Sequence, residues 1–313
     1  MSFSGRIKQE LGREWSNARH CQIAEVAAIL TMCGSIAISS RDQYAVKVST
    51  ENIVVARKYF TLIKKTFNIR TEILIRRNLI KRNVSYAVII NKHADALRVL
   101  QAAKLLDQFD GIGEELSIMQ NVVVQRTCCK RAFIRGSFLA GGSISDPEKS
   151  YHFEIVCATL SKAEQLKSIM NSFGMDAKIV LRKKSYVVYL KEGAKIVDML
   201  NIIEAHVALM ELENVRILKE MRGSVNRKVN CETANINKTV SAAVKQIEDI
   251  IYIRDTIGFH KLSEGLEDIA ILRLEHQDAT LKELGNLLTP TVGKSGVNHR
   301  LRKLSAIAEE LRS

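Results

Sequence analysis

The spacing of apolar positions divides the chain into segments of helical and strand period. Residues 21–36 (CQIAEVAAILTMCGSI) and 129–144 (CKRAFIRGSFLAGGSI) are small or apolar on nearly every side, which predicts helices buried against another helix. Behind each comes an alternating strand, Tyr44–Val48 and Tyr151–Val156. An amphipathic helix follows, Val54–Phe67 and Lys162–Phe173, and then a hairpin. The hairpins pair Glu72–Ile75 with Tyr86–Ile90 and Lys178–Leu181 with Tyr186–Leu190. A last helix closes each unit near Ala94–Leu106 and Ala194–Glu204. Gly34 and Gly142 stand where the opening helices should stop and are expected to act as C′ glycines.

These segments repeat in order. Cys21 through Gly34-Ser35-Ile36 aligns with Cys129 through Gly142-Ser143-Ile144 at an offset of 108. Ser85–Ile90 aligns with Ser185–Leu190 at an offset of 100, which also pairs Ala94 with Ala194 and Leu100 with Leu200. Matches in the same order with a small drift predict an internal duplication.

The last third has a different pattern. Arg222 to Lys245 contains asparagine at 226, 230, 235 and 237, a poor helix former, and reads as a linker or arm. From Lys238 a helix with Val240, Val244, Ile247 and Ile251 on one face runs to Thr256, and Leu262–Leu274 forms a second. Asp278 or Thr280 caps a third, Leu281–Leu288. Thr289–Gly293 breaks the pattern, and a new helix opens near Lys294 or Ser295 with Val297, Leu301, Leu304 and Ile307 as its buried stripe. Helix, short turn, helix predicts a helix-turn-helix.

Charge gives this organisation a direction. Lys and Arg number 47 against 34 Asp and Glu, a net charge of +13, in a chain whose 46% hydrophobic and 26% charged content is otherwise ordinary. Such an excess favours partners of dense negative charge, nucleic acid above all. Ten basic residues and one acid, Glu72, lie between Arg57 and Lys92; six and one acid, Glu192, lie between Lys178 and Lys195. Two readings stand for the hairpin residues Arg76, Arg77, Lys81, Arg82, Arg182, Lys183 and Lys184: a DNA-facing surface, or solubilising edge-strand charges. Arg222, Arg227, Lys228 and Lys238 are phosphate contacts or plain linker residues. In the last helix Ser295, Asn298, His299 and Arg302 are candidates for base edges, and Lys294, Arg300 and Lys303 for phosphates, with Lys282 and Thr289 beside them. The alternative there is a charged solvent face on an ordinary bundle.

Cysteines stand at 21, 33, 128, 129, 157 and 231, with no CxxC pair and no zinc-finger spacing. They predict a reduced, intracellular compartment, no disulfide framework and no metal site. His152, His206 and His276 are isolated and read as packed or exposed side chains. Gly111 and Gly113 sit in an acidic loop without a nucleotide fingerprint, and no P-loop, GxSxG or Ser/His/Asp arrangement occurs. No cofactor is expected. Neither a signal-peptide core nor an apolar run of membrane-spanning length is present, so no membrane association is expected.

The segment Ile134–Ile144 (IRGSFLAGGSI) resembles the paired helix of LAGLIDADG homing endonucleases, and residues 26–36 resemble a more worn copy. In those nucleases each helix ends on an acid that holds the divalent metal, and a hard ion such as Mg²⁺ needs oxygen ligands. The aligned positions here are Cys33 and Gly141. Asp42 and Asp146 lie beyond the motif; they are possible substitutes, although Asp146-Pro147 reads as a surface turn. Residues 130–155 (KRAFIRGSFLAGGSISDPEKSYHFEI) and 282–304 (KELGNLLTPTVGKSGVNHRLRKL) together resemble the WhiA family of bacterial regulators. Asn226, Arg227, Asn230, Ala234, Asn235 and Lys238 match a stretch found in that family.

The resemblance implies an α+β fold of two pseudo-symmetric LAGLIDADG-like αββαββα halves, 1–110 and 111–221. A basic linker at 222–237 and an all-α helix-turn-helix domain at 238–313 would follow. It implies a transcription regulator of cell division and sporulation genes without enzymatic activity. Such a protein would be cytoplasmic and nucleoid-associated, bound to double-stranded promoter DNA and possible partners such as RNA polymerase or another transcription factor. Two rivals remain: a cleaving nuclease, which needs the missing carboxylates, and an RNA-binding or maturase-like protein, which would use the same basic surface.

Overall fold

The computed structural model describes residues 1–38, 43–78, 83–106 and 119–313. The chain divides into two compact units, Met1–Lys219 and Glu220–Ser313. No helix among the described residues is long and apolar enough to cross a membrane.

The first unit is α+β and duplicated. After α1 (Phe3–Arg13), the first half runs α2 (Arg19–Cys33), β1 (Gly34–Ile38), β2 (Tyr44–Thr50), α3 (Ile53–Phe67), β3 (Glu72–Asn78), β4 (Asn83–Ile90) and α4 (His93–Ala102). A 3-10 turn, Met119–Val124, leads into the second half. That half repeats the order as α5 (Thr127–Gly141), β5 (Gly142–Ile144), β6 (Phe153–Cys157), α6 (Leu160–Asn171), β7 (Lys178–Arg182), β8 (Ser185–Leu190) and α7 (Gly193–Ile202). Each half carries a four-stranded antiparallel sheet in equivalent order, β1-β2-β4-β3 and β5-β6-β8-β7. The αββαββα pattern is thus present twice. Strands β1 and β5 occupy the Gly-Ser-Ile segments that pattern alone assigned to helix ends.

Helices α2 and α5 form the spine. Ala24, Ala27 and Ala28 on α2 and Ala132 and Gly136 on α5 are buried, and small side chains allow close helix approach. A Cβ at Gly136 would lie 2.8 Å from the Glu25 carbonyl oxygen and 2.9 Å from the Ala28 Cβ. Charge is buried at this crossing. Glu25, fully buried, accepts from Arg135 Nε and Nη2, both at 3.3 Å, and its Oε1 lies 3.4 Å from Lys58 Nζ. Arg135 also donates to Ser16 Oγ at 2.6 Å and pairs with Glu204. Lys58 donates to the carbonyls of Leu11 and Glu14 and packs over the Trp15 ring. Burial pushes the Lys58 ammonium below its ordinary pKa against the opposing pull of Glu25. For Arg135 burial also acts downward, but Glu25 and Glu204 outweigh it and hold the guanidinium above its usual value.

The glycines ending α2 and α5 are not left-handed caps. Gly34 (φ −82°) and Gly142 (φ −85°) are extended, because each already starts a strand. Crowding is what requires glycine here: an added Cβ would meet the Leu30 carbonyl oxygen at 2.4 Å, or the Phe138 ring at 2.3 Å.

The expected irregular linker at 222–237 is helical. It lies inside α8 (His206–Thr256). Met221, Val225, Val229, Ile236, Val240 and Val244 recur at spacings of four and seven as an exposed stripe, a helical period that outweighs the asparagines. Within the second unit, the end of α8, α9 (Glu264–Glu275), α10 (Leu281–Leu287) and α11 (Lys294–Arg312) share one core. Ile250 and Ile253, Ile269 and Ala270, and Leu284 and Leu288 meet Val297, Leu301, Leu304 and Ala308 there.

Glu25→Gln leaves two buried cations short of their shared counter-charge. It is expected to destabilise the first unit by about 3–5 kcal/mol, read as a lower urea midpoint at unchanged m-value.

Candidate nucleic-acid interface

The α10–turn–α11 segment is locally well specified. Thr280 and Glu283 form a capping box: Thr280 N–H donates to Glu283 Oε2 at 2.7 Å, and Glu283 N–H to Thr280 Oγ1 at 3.4 Å. The turn then folds back on α10, where Val292 N–H donates to the Gly285 carbonyl at 3.0 Å. Gly285 is buried, and a Cβ there would meet the Val292 carbonyl oxygen at 2.1 Å. Only glycine admits so close an approach.

Helix α11 buries Val297, Leu301, Leu304 and Ala308. At about 100° per residue the opposite face carries Ser295, His299 and Arg302, all exposed. Lys303 flanks this face and Lys294 opens the helix on the side of Leu301, both exposed, and Asn298 is half-buried at the border of the face. Arg300 departs from the expected phosphate role: it is half-buried, and its Nη1 donates to the Gly265 carbonyl of α9 at 3.2 Å. Lys282 on α10 and Thr289 in the turn are exposed. The N-cap residue Gly293 supplies no side-chain acceptor, so the first N–H groups of α11 remain available to an anionic ligand.

The other predicted residues are more scattered than their number along the sequence implies. Arg222, Arg227, Lys228 and Lys238 are all exposed on α8. By the same angular count of about 100° per residue, Arg227 and Lys238 share the side opposite the Val225–Val229–Ile236–Val240 stripe, while Arg222 falls on the stripe side. Arg76 and Arg77, adjacent on β3, point to opposite sides of the sheet. Arg76 lies opposite Ser85 on the open face and Arg77 opposite Val84. Lys81 and Arg82 lie outside the described residues. Lys58 is buried, and Lys65 sits over Trp15.

In the second half, Lys183 (φ +56°) and Lys184 make the exposed hairpin turn. Arg182 is engaged: its Nη1 donates to Glu154 Oε2 at 2.7 Å, where His152 also binds at 3.0 Å. Burial alone would raise the Glu154 carboxyl, but His152, Ser143 and Arg182 hold it below its ordinary pKa.

The two positions aligned with nuclease metal ligands end α2 and α5. Cys33 donates its thiol hydrogen bond to the Ile29 carbonyl at 3.3 Å; burial, against the pull of Lys8, pushes its pKa up to about 12. Gly141 has no room for a side chain, since a Cβ would lie 2.8 Å from the Val156 carbonyl oxygen. Asp146 is exposed and accepts from the Glu148 N–H at 3.0 Å, the surface turn expected from its sequence. Asp42 lies outside the described residues.

Sequence spacing missed one grouping. His20, Cys21, Cys128 and Cys129 bring their donor atoms within 4.8 Å of one another. Only the 108-residue offset, which aligns His20-Cys21 with Cys128-Cys129, signals it.

A duplicated α+β body with a LAGLIDADG-type helix pair, followed by a helix-turn-helix, defines the class of protein. Three family models match in that order: the WhiA N-terminal LAGLIDADG-like domain over residues 19–106, the WhiA LAGLIDADG-like domain over 130–222 and the WhiA C-terminal HTH domain over 225–308. The chain is 58% identical over 312 residues to "Probable cell division protein WhiA" of Lachnoclostridium phytofermentans, covering 100% of both. It is 50% identical to the protein of the same description in Alkaliphilus oremlandii, covering 99% of this chain and 98% of that one. The chain belongs to the WhiA family. Its fold is similar to the crystal structure of full-length DUF199/WhiA from Thermatoga maritima, with a TM-score of 0.61 at 23% identity over 99% of each chain.

Gly285→Ala gains helix propensity but drives a methyl into the Val292 carbonyl. A net loss of about 1–2 kcal/mol in the second unit is expected, measured by thermal unfolding. The exposed neighbour substitution Asn286→Ala should be close to neutral.

Proposed function

We propose that the chain is a sequence-specific DNA-binding transcription regulator that reads double-stranded promoter DNA through α11. One observation carries this reading: Ser295, His299 and Arg302 form an exposed polar face, bordered by Lys303, on the second helix of a tightly turned pair that the exposed Lys294 opens. That composition suits base edges at the centre and phosphates at the margins. The exposed Lys282, Thr289, Arg227 and Lys238 add backbone contacts. Arg300 serves to dock α11 on α9.

The first unit keeps a DNA-binding scaffold without its chemistry. Mg²⁺ would need oxygen donors at the ends of α2 and α5. The residues there do not fit that ion: Cys33 is a thiol already bonded to its own helix, and Gly141 faces the Val156 carbonyl. The open sheet faces contribute at most auxiliary phosphate contacts, through Arg76 and, when released from Glu154, Arg182. The relatives' description as probable cell division proteins supports division genes as the regulated set. A link to sporulation genes and a nucleoid-associated, cytoplasmic location follow from the same family reading. The exposed apolar stripe of α8 supports a protein partner such as RNA polymerase or another transcription factor.

In anisotropy titrations with the full chain, Arg302→Ala is expected to cost about 1–3 kcal/mol on a preferred promoter and to flatten its preference over scrambled DNA. Lys303→Ala should weaken both sequences alike and reduce the salt slope by about one. An Arg302→Ala protein that binds and discriminates like the parent would refute the reading. Bound promoter DNA should stay intact in Mg²⁺.

Glu154→Gln removes one negative charge and frees Arg182. If the sheet touches DNA, affinity rises severalfold and the salt slope steepens; an unchanged slope removes the sheet from the interface. The same substitution abolishes the stability that Glu154 supplies. A carboxyl held below its ordinary pKa stabilises the fold at neutral pH, and the contribution fades as pH falls through the depressed value.

A further inference from the structure

We propose that His20, Cys21, Cys128 and Cys129 form a structural zinc site joining the N-terminal ends of α2 and α5. The four residues hold the second and third positions of the two helices, equivalent places in the two repeats. His20 Nδ1 lies 3.2 Å from Cys129 Sγ and 3.3 Å from Cys21 Sγ. All four donors fall within 4.8 Å of one another. A tetrahedral zinc ion with three thiolates and one imidazole sets its donors roughly 3.5–3.8 Å apart, so modest rotamer adjustment closes the set.

The donor chemistry selects the ion. Three sulfurs and one imidazole are soft to borderline ligands, which suit Zn²⁺ and exclude Mg²⁺ or Ca²⁺. A disulfide would use two thiols and leave a thiol and the histidine converging on nothing. Burial, reinforced by the neighbouring thiols, pushes Cys21 up to about 12 and Cys129 upward, so without an ion both keep their protons; zinc binding would release them. Cys21 and Cys129 are buried, His20 half-buried and Cys128 exposed, so the set is closed on one side and reachable on the other. A cavity of about 290 Å³, lined in part by His20, Arg126 and Cys129, opens beside it.

The site lies at the end of the helix pair opposite Cys33 and Gly141. With 15 residues per helix, the two ends are about 20 Å apart. It would clamp the two halves where the buried Glu25–Arg135 pair does not reach, independently of the DNA-reading function proposed above.

The test uses the full chain, purified under reducing conditions and dialysed against a weak chelator. Metal analysis should return about one zinc per chain, and cobalt substitution should give the intense visible bands of a tetrahedral thiolate site. Cys231→Ser, an exposed thiol outside the cluster, should keep both. Cys128→Ser, which alters the exposed ligand, should shift the cobalt spectrum and weaken zinc retention at least tenfold. The proposal is overturned by parent protein that loses all zinc to the weak chelator. It is equally overturned by cobalt bands lacking thiolate character, or by a disulfide joining Cys21 to Cys128 or Cys129 in protein isolated from reducing cells. If Cys128→Ser does not fold, the cobalt spectrum of the parent chain decides alone.

Discussion

The first unit depends on the close approach of α2 and α5. Two helices can run this near only where small residues face each other, and at Gly136 even a Cβ would lie 2.8 Å from the Glu25 carbonyl oxygen. Glu25 serves both halves at once, since it binds Arg135 of the second repeat and Lys58 of the first. A buried network of this kind is weak evidence of net stability but strongly penalises loss of any one member. Mispairing of the halves would strand charge in a low-dielectric interior, so the network enforces their register. The two sheets, each anchored to its own spine helix, inherit that register.

Much of this was legible because duplication writes every signal twice. The Gly-Ser-Ile repeats, the amphipathic helices α3 and α6 and the hairpin strands recur in the same order at offsets drifting from 108 to 100, and the elements lie close to where their periods predict. Strands β1 and β5 were not legible, since β5 spans only Gly142–Ile144 and both begin at the residue that ends a helix. The region 222–237 misled in the opposite direction: four asparagines argued for an irregular arm, while Val225, Val229, Ile236 and Val240 keep helical spacing through it. Tertiary and periodic signals outrank single-residue propensity.

The candidate interface was legible in identity but not in geometry. Sequence located α10 and α11 and the stripe that buries α11. It could not reveal that Arg300 turns inward to Gly265, that Arg76 and Arg77 part to opposite sheet faces, or that Glu154 occupies Arg182. A tally of basic residues counts Lys58 as DNA-directed charge, yet it is among the most deeply buried side chains in the unit. The His20–Cys129 grouping escaped for a related reason: metal motifs are recognised by short spacing, and here the ligands come from two repeats.

Gly141 carries a consequence for what this helix end can be made to hold. With the β6 carbonyl of Val156 set 2.8 Å from where a Cβ would lie, no side chain fits there without moving the strand. Installing an acid at this position is therefore a backbone problem before it is a chemical one. The strand acts as a lock on the helix end, and only its retreat would open the place to a metal ligand.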